Sequence, residues 1–541
     1  MTACLFFLWY GLGILRCVGI ENDEALFTMA LFQPFGGAYA LTVGHSQLTL
    51  MIMSYLGGLK AWIYSPIFHL FGTGVLALRV PVVVAGAASV WLFFLLVRRI
   101  AGERAAIIGC CLLAADSAYL LTICFDWGPV ALQHLLLVGG FLLLVRFYQE
   151  RRHGCLFWGF FLLGLALWDK AVAAWMLSGI GVATVALFPA EVFAVVTKRR
   201  LAISILGFAL GSLPLLVYNS QNHWVTFVSN FQLDTASFSG KARQLLNTAS
   251  GDGLFGWMFS DSGNTLFPHA AAGPMQTVSA GLSTVAGHPR RHLLFYMFLL
   301  ALLVAPLARG SARRTIVWGT LALQIAWMQM AITANAGGSI HHTILLWPLP
   351  HMVIGISFAA ASRRLGPLAV PVFHITSMAA VLSGVLVTNE YYRTAWQYGG
   401  SPGWTDGIIT LADTMKRVPS ERIYCVDWGI LDALRLLGHG TLPLVVGPIP
   451  KPDLGSGDRE AISRIVDGSG AVFIAHTKGF EEFPGVNKKF VELTAELGYK
   501  MELLAIVSDS FARPAYEVYR FTKPTSLSNL QDTGSAPAAT R

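Results

Sequence analysis

The dominant pattern along the chain is the long, unbroken apolar run, interrupted at fairly regular intervals by short polar segments. Eleven such runs are read: Cys4 to Val18, Leu78 to Val97, Ala105 to Ile123, Pro129 to Phe147, Leu156 to Leu167, Ala171 to Phe188, Leu201 to Tyr218, Leu293 to Leu307, Thr315 to Thr333, Ile344 to Ala361 and Leu365 to Val387. Runs of roughly 20 apolar residues match the thickness of a bilayer. Lipid offers no partner to free backbone N–H and C=O groups, so each run is expected to be a helix that satisfies its own hydrogen bonds. The first run lacks the basic leader and small-residue cleavage site of a signal peptide, and is taken as a helix.

Past Asn389 the pattern changes. GGSPG at Gly399 to Gly403 is a turn-rich connector, after which short strand-like runs (Arg422 to Val426, Leu442 to Val446, Ala471 to Ala475, Met501 to Ile506, Tyr516 to Phe521) alternate with helix-like stretches at Ile408 to Arg417 and Arg459 to Asp467. That alternation predicts a small α/β layer fold over residues 389–523. The stretch 524–541 is rich in Ser, Thr, Pro and Ala, and disorder is expected there. No repeat of fixed period is present.

Composition agrees with a membrane class. Of the 541 residues, 55% are hydrophobic and 13% charged, and the mean hydropathy is +0.58. A net charge of +8 would suggest nucleic acid were it not for its location. From Asn389 onward there are 16 basic and 18 acidic residues, which leaves 22 basic against 12 acidic in the first 388. Fourteen of those 22 occupy alternate short loops: Arg98, Arg99 and Arg104; Arg146, Arg151 and Arg152; Lys198, Arg199 and Arg200; Arg309, Arg313 and Arg314; Arg363 and Arg364. Under the positive-inside rule those loops are cytoplasmic. The N-terminus is then inside, and loops 19–77 and 219–292, together with everything after Val387, are outside. The seven cysteines form no disulfide framework and no zinc spacing.

The residues that can carry chemistry collect on the outer face. Glu21-Asn22-Asp23-Glu24 follows the first helix, Phe125-Asp126-Trp127-Gly128-Pro129 fills one short outer turn, Trp168-Asp169-Lys170 fills another, and Gly338-Ser339-Ile340-His341-His342 leads into the tenth run. Ionisable groups at membrane depth are expensive and usually face a protein interior or a watery cavity. Each also has a structural reading. Asn22 or Asp23 can cap the next helix with Glu24 at its positive end, Asp169 can pair with Lys170, the histidines can be interfacial hydrogen-bonders, and Asp116 can be a packed polar bridge within the third helix.

The order of these features resembles the GT-C glycosyltransferases. An outer Asp-Glu after the first helix, a basic residue with a short amphipathic stretch (Lys60 to Gly72), Ala77-Leu78-Arg79-Val80-Pro81 opening the second helix and Asp126-Trp127-Gly128-Pro129 look like the protein O-mannosyltransferase and aminoarabinose transferase group, often called glycosyltransferase family 39-like. The resemblance covers residues 1–387. It implies a catalytic carboxylate at Asp23 with Glu24 beside it, a second outer acid at Asp126, and a basic contact to lipid phosphate at Lys60, where the family's Lys-Pro-Pro is replaced by Lys60-Ala61-Trp62.

The expectation is therefore a polytopic α-helical membrane protein of about 11 transmembrane helices, GT-C-like, with an extracytoplasmic C-terminal α/β domain, in the plasma (inner) membrane. It would move a sugar from a polyprenyl-phosphate donor to a lipid, glycan or protein acceptor, by inverting displacement with Asp23 as base. Asp126 shares the catalytic face, and Lys60, Arg79, Lys170, His341 and His342 serve the substrate. No cofactor is expected to be required; carboxylates at Asp23 and Asp126 are compatible with Mg or Mn, but two acids do not define a metal site. A transporter or flippase of lipid-linked sugar is the alternative, set back by acids at the outer ends rather than the midplane and by the lack of repeated halves. An anchored binding module ranks last, since an anchor needs far fewer helices. No nucleic-acid partner is expected.

Overall fold

The computed structural model describes residues 1–44, 46–261, 267–447, 456–467 and 470–523. The stretch 524–541, expected to be disordered, lies outside the described residues. All eleven apolar runs fall on helix. The first elements in chain order are α1 (Thr2–Ile14), the short α2 (Asn22–Ala25), an antiparallel hairpin of β1 (Tyr39–Val43) and β2 (Ser46–Met53) with β3 (Leu56–Gly57) at its edge, and α3 (Leu59–Phe71). There follow α4 (Val75–Ala101), α5 (Glu103–Ala115), α6 (Ser117–Cys124), α7 (Ala131–Glu150), α8 (His153–Asp169), α9 (Ala173–Leu187), α10 (Pro189–Val195), α11 (Lys198–Gly211) and α12 (Leu213–Gln221). Next come α13 (Val225–Asn230), α14 (Phe238–Ser250), α15 (Pro274–Ala286), α16 (Leu294–Val304), α17 (Gly310–Ala331), α18 (Ile340–Thr343), α19 (Leu349–Arg364) and α20 (Ala369–Tyr398).

Among the described residues, four helices are long and apolar enough to cross a membrane, or up to seven if each bent pair counts as one span. The count differs from eleven because several runs are short or bent: α5 and α6 meet at 62°, α9 and α10 at 100°, α11 and α12 at 73°. Asp116, expected inside a continuous helix, lies at the first of these breaks. Its carboxylate replaces the lost helical bond by accepting the Tyr119 N–H at 3.0 Å, which starts α6 afresh.

Small residues set the helix packing. A Cβ placed at Gly164 of α8 would lie 2.3 Å from the Phe208 carbonyl of α11, and one at Gly211 would lie 2.2 Å from the Phe161 carbonyl. Only glycine permits that approach, the usual way helices gain van der Waals contact in lipid.

The basic loops converge at one end of the bundle. Arg99 reaches Glu150 at 3.0 Å, Arg314 reaches Glu191 at 2.7 Å, and Arg104 donates to Ser362 at 3.1 Å. The α/β unit packs at the other end. It comprises α21 (Gly407–Met415), β4 (Arg422–Cys425), α22 (Leu431–Leu437), β5 (Leu444–Val445), α23 (Ser456–Val466), β6 (Ala471–His476), α24 (Val486–Glu496), β7 (Lys500–Ser508) and β8 (Pro514–Thr522). The sheet order is β5-β4-β6-β8-β7, with β5, β4 and β6 parallel and β8 and β7 antiparallel additions. The unit begins after Tyr398, because α20 carries Glu390, Tyr391, Thr394 and Trp396 buried beyond the last apolar run. It is fixed to the first outer loop where Thr73 donates to the Leu436 carbonyl at 2.8 Å and Arg435 donates to that of Pro34 at 2.9 Å.

Candidate functional site

Opposite the basic loops, four segments that interrupt the helices face one another: α2, the start of α3, the Asp126 turn and the Asp169-Lys170 turn. In α2 the capping role falls to Glu21, whose carboxylate accepts the Asp23 N–H at 2.8 Å. Glu24, fully buried, is gripped by Arg79 through two bonds of 2.6 and 2.7 Å. Between these committed neighbours, the Asp23 carboxylate accepts no hydrogen bond among the described residues and lines a small cleft with Phe27, Ile52, Leu56, Gly57, Lys60, Pro129 and Asp169. Burial raises its pKa above the usual carboxylate range, and the Lys170 and Lys60 ammonium groups oppose that rise.

Lys60, the second residue of α3, is 4% exposed. Its ammonium pairs with Asp126 at 2.6 Å, donates to the Glu24 carbonyl at 3.2 Å and lies 4.5 Å from the Phe27 ring centre. Asp126 sits in the left-handed region (φ 45°), which Asp tolerates better than most residues. One of its oxygens caps α7 by accepting the N–H groups of Val130 and Ala131 at 2.9 and 2.8 Å; the other faces Lys60.

Lys170 is buried, donates to the Gly128 carbonyl and is held by a backbone bridge to Leu56. Burial pushes its ammonium down to about 8, against the pull of Asp23, Asp169 and Asp126. Gly128 (φ 68°) is pressed on His341: a Cβ there would lie 2.6 Å from the imidazole. His341 also packs edge-on against Trp127, its Nδ1 lies 2.9 Å from the Ser339 hydroxyl, and His342 meets it edge-on with ring centres 4.2 Å apart.

The structure thus brings Asp23, Lys60, Asp126 and Lys170 together, with His341 and His342 behind the Asp126 turn. Arg79 and Glu24 stand apart in kind. All five guanidinium N–H donors of Arg79 are used, two on Glu24 and three on the carbonyls of Leu15, Val18 and Gly19, so none is left for a substrate. Among the described residues no group of three or more His, Cys, Asp or Glu side chains is placed to hold a metal ion.

Two contributors were not foreseen. Asp169, weighed in the sequence only as a partner of Lys170, lines the cleft itself. The C-terminal unit adds Glu482: burial raises its pKa against the pull of His476, and the nearby Asp427 and Asp23 carboxylates raise it further. The Glu482 and Phe483 N–H groups donate to the Asp427 carboxylate, just past the end of β4.

Comparison with known proteins follows this geometry. The sequence model of the dolichyl-phosphate-mannose-protein mannosyltransferase family matches residues 59–218, which include Lys60, Arg79, Asp126 and Lys170. No curated protein sequence matches the chain. The fold is that of ArnT from Cupriavidus metallidurans: the structure bound to undecaprenyl phosphate superposes with a TM-score of 0.56 at 12% identity, covering 96% of each chain. The apo structure of the same enzyme gives 0.54 at 13% identity with the same coverage. Together these support the resemblance to GT-C glycosyltransferases of the protein O-mannosyltransferase and ArnT type.

Proposed function

We propose that the protein is a membrane glycosyltransferase that moves a sugar from a polyprenyl-phosphate donor to an acceptor hydroxyl or amine at the extracytoplasmic face. The observation that carries this reading is the free Asp23 carboxylate in a cleft shared with Lys60, its neighbours Glu21 and Glu24 being otherwise engaged. A base for an acceptor and cations for a departing phosphate are what the displacement requires. The carrier class is supported by the shared fold with an ArnT structure that is bound to undecaprenyl phosphate. The basic loops, by the positive-inside rule, support an orientation with the N-terminus cytoplasmic and the α/β unit outside a plasma membrane.

In the proposed reaction the acceptor's lone pair attacks the anomeric carbon while Asp23 takes its proton. The bond from that carbon to the phosphate oxygen breaks, and the electron pair leaves with the lipid phosphate toward Lys60 and Lys170. A single displacement inverts the anomeric centre. Asp126 positions Lys60 and fixes the start of α7, while His341 and His342 support the turn that offers the Gly128 carbonyl to Lys170. Arg79 and Glu24 hold the loop in place without touching substrate. A divalent cation is given no step.

The test is transfer of labelled sugar from a polyprenyl-phosphate donor by purified protein. Asp23→Asn should lower the rate roughly 10²- to 10⁴-fold while binding of bare undecaprenyl phosphate is retained. An Asp23→Asn rate within about tenfold of wild type, below that range, would overturn the assignment. Movement of lipid-linked sugar with no covalent product would favour a flippase.

A further inference from the structure

The cleft at Asp23 holds a second carboxyl group that the mechanism leaves unused. Asp169 ends α8 and is 1% exposed, yet its Oδ2 has no hydrogen-bond partner among the described residues. A buried polar atom without a partner calls for an explanation, because such groups are nearly always satisfied in folded proteins. Of the other acids of this region, Glu24 is held by Arg79, Glu21 caps α2, Asp126 caps α7 through one oxygen and is ion-paired with Lys60 through the other, and Asp23 is the proposed base. The pairing with Lys170 that the sequence suggested is not made, since the Lys170 ammonium donates to the Gly128 carbonyl instead.

The cleft around Asp169 is narrow, with room for about one water molecule as it stands, so a larger ligand has to part its walls. The cleft it lines has Asp23 and Lys60 as its other charged walls, with Phe27, Ile52, Leu56 and Pro129 as apolar walls. Gly57 keeps the wall beside α8 thin: a Cβ there would lie 2.1 Å from the Trp168 carbonyl, the residue before Asp169. If Asp23 receives the acceptor and Lys60 the phosphate, the part of the donor between them is the sugar ring. A ring has polar edges and apolar C–H faces, and this cleft offers a carboxyl group set among apolar walls.

We propose that Asp169 is a donor-sugar ligand: its Oδ2 hydrogen-bonds a ring hydroxyl or amino group of the polyprenyl-phosphate-linked sugar and thereby selects which sugar is transferred. The assignment rests on the glycosyltransferase reading above. It gives the buried turn Trp168-Asp169-Lys170 a divided task, with Lys170 directed to the phosphate side and Asp169 to the sugar.

The experiment compares carriers with and without a sugar. Binding of bare undecaprenyl phosphate, undecaprenyl phosphate mannose and undecaprenyl phosphate arabinose is measured on the purified full-length protein in nanodiscs, for wild type, Asp169→Ala and Asp169→Asn. Wild type should bind at least one glycosylated carrier more tightly than the bare one. Asp169→Ala should lose about 10- to 100-fold for that carrier, the cost of leaving a buried polar group without its partner, and keep bare-carrier binding within about 2-fold, a fraction of one hydrogen bond. Asp169→Asn, which keeps the shape and an acceptor oxygen, should lose less than Asp169→Ala.

Retained bare-carrier binding also shows that the variant is folded. Undiminished binding of the glycosylated carrier by Asp169→Ala would overturn the proposal, as would equal loss for bare and glycosylated carriers or a wild type that gains nothing from either sugar. Failure of wild type to bind the bare carrier at all would instead strike the glycosyltransferase reading, and the proposal with it.

Discussion

Replacing Arg79 by Met separates two roles that the sequence left together. In the structure the guanidinium is fully enclosed, with two N–H bonds to Glu24 and three to the carbonyls of Leu15, Val18 and Gly19, just past the end of α1. Met fills much of the same volume but leaves Glu24 as a buried carboxylate with no cation and three carbonyls with no donor. Breaking one partner out of a buried ion pair costs about 3–5 kcal/mol. Thermal unfolding in detergent, followed by tryptophan fluorescence, should show a loss of that size for Arg79→Met. The Arg79→Met/Glu24→Gln pair should be less damaged than the sum of the single variants, with a coupling of about 0.5–3 kcal/mol. Binding of undecaprenyl phosphate by the protein that remains folded should be unchanged. An Arg79→Met protein of normal stability that no longer binds the phosphate would refute the reasoning and return Arg79 to the substrate.

Two further outcomes follow from the same geometry. Asp23 must be ionised to accept a proton and burial raises its pKa, so the acid limb of the rate profile should fall above the ordinary value of about 3.9; rate is lost as pH drops through that limb. Lys170 pulls the Asp23 pKa down, so Lys170→Met should move the limb to higher pH whatever it does to the maximal rate, and an unmoved limb would show that the two charges do not interact. Gly128→Ala combines a positive φ of 68° with a Cβ placed 2.6 Å from His341, and should cost about 1–3 kcal/mol in unfolding measurements; His341→Ala in the same background should recover part of the loss, and no recovery would mean that strain alone is responsible.

Helices and the placement of acids at one end were legible because lipid leaves the backbone so few choices: every apolar run fell on helix. The breaks were not legible. Asp116 sits in an unbroken apolar run, and nothing local announces that its carboxylate restarts the helix while also accepting the Trp347 indole N–H at 2.6 Å, a contact across 231 positions. The same limit governs the site. Asp23, Asp126 and Lys170 were readable together because each lies in a short polar interruption, whereas Lys60, within a largely apolar stretch, entered only through the family resemblance. Which of several neighbouring acids stays free depends on pairings at long range. Glu24 and Asp23 are adjacent and chemically alike, and only the arrival of Arg79 from α4 separates a paired acid from an unpaired one. Asp169 was masked by an adjacent Lys170 that turns instead to a carbonyl.

On the proposed function, those pairings bear on how an anionic carrier would be received by a face rich in acids. Glu24 cancels Arg79 and Asp126 cancels Lys60, whereas Lys170 has only the neutral Gly128 carbonyl for a direct partner. A carbonyl oxygen satisfies an N–H donor without removing the charge, so the Lys170 charge is offset only by the surrounding Asp23, Asp169 and Asp126 carboxylates and by no direct ion pair among the described residues. On the proposed reading, phosphate is drawn first toward Lys170, and Lys60 becomes available as the phosphate competes with Asp126 for it. Asp126 can yield Lys60 without collapse of the turn because its other oxygen remains bonded to the Val130 and Ala131 N–H groups. On that reading the acid that caps α7 is also suited to lend and reclaim a cation, as a site must that binds a lipid-linked phosphodiester and later releases the lipid phosphate monoester.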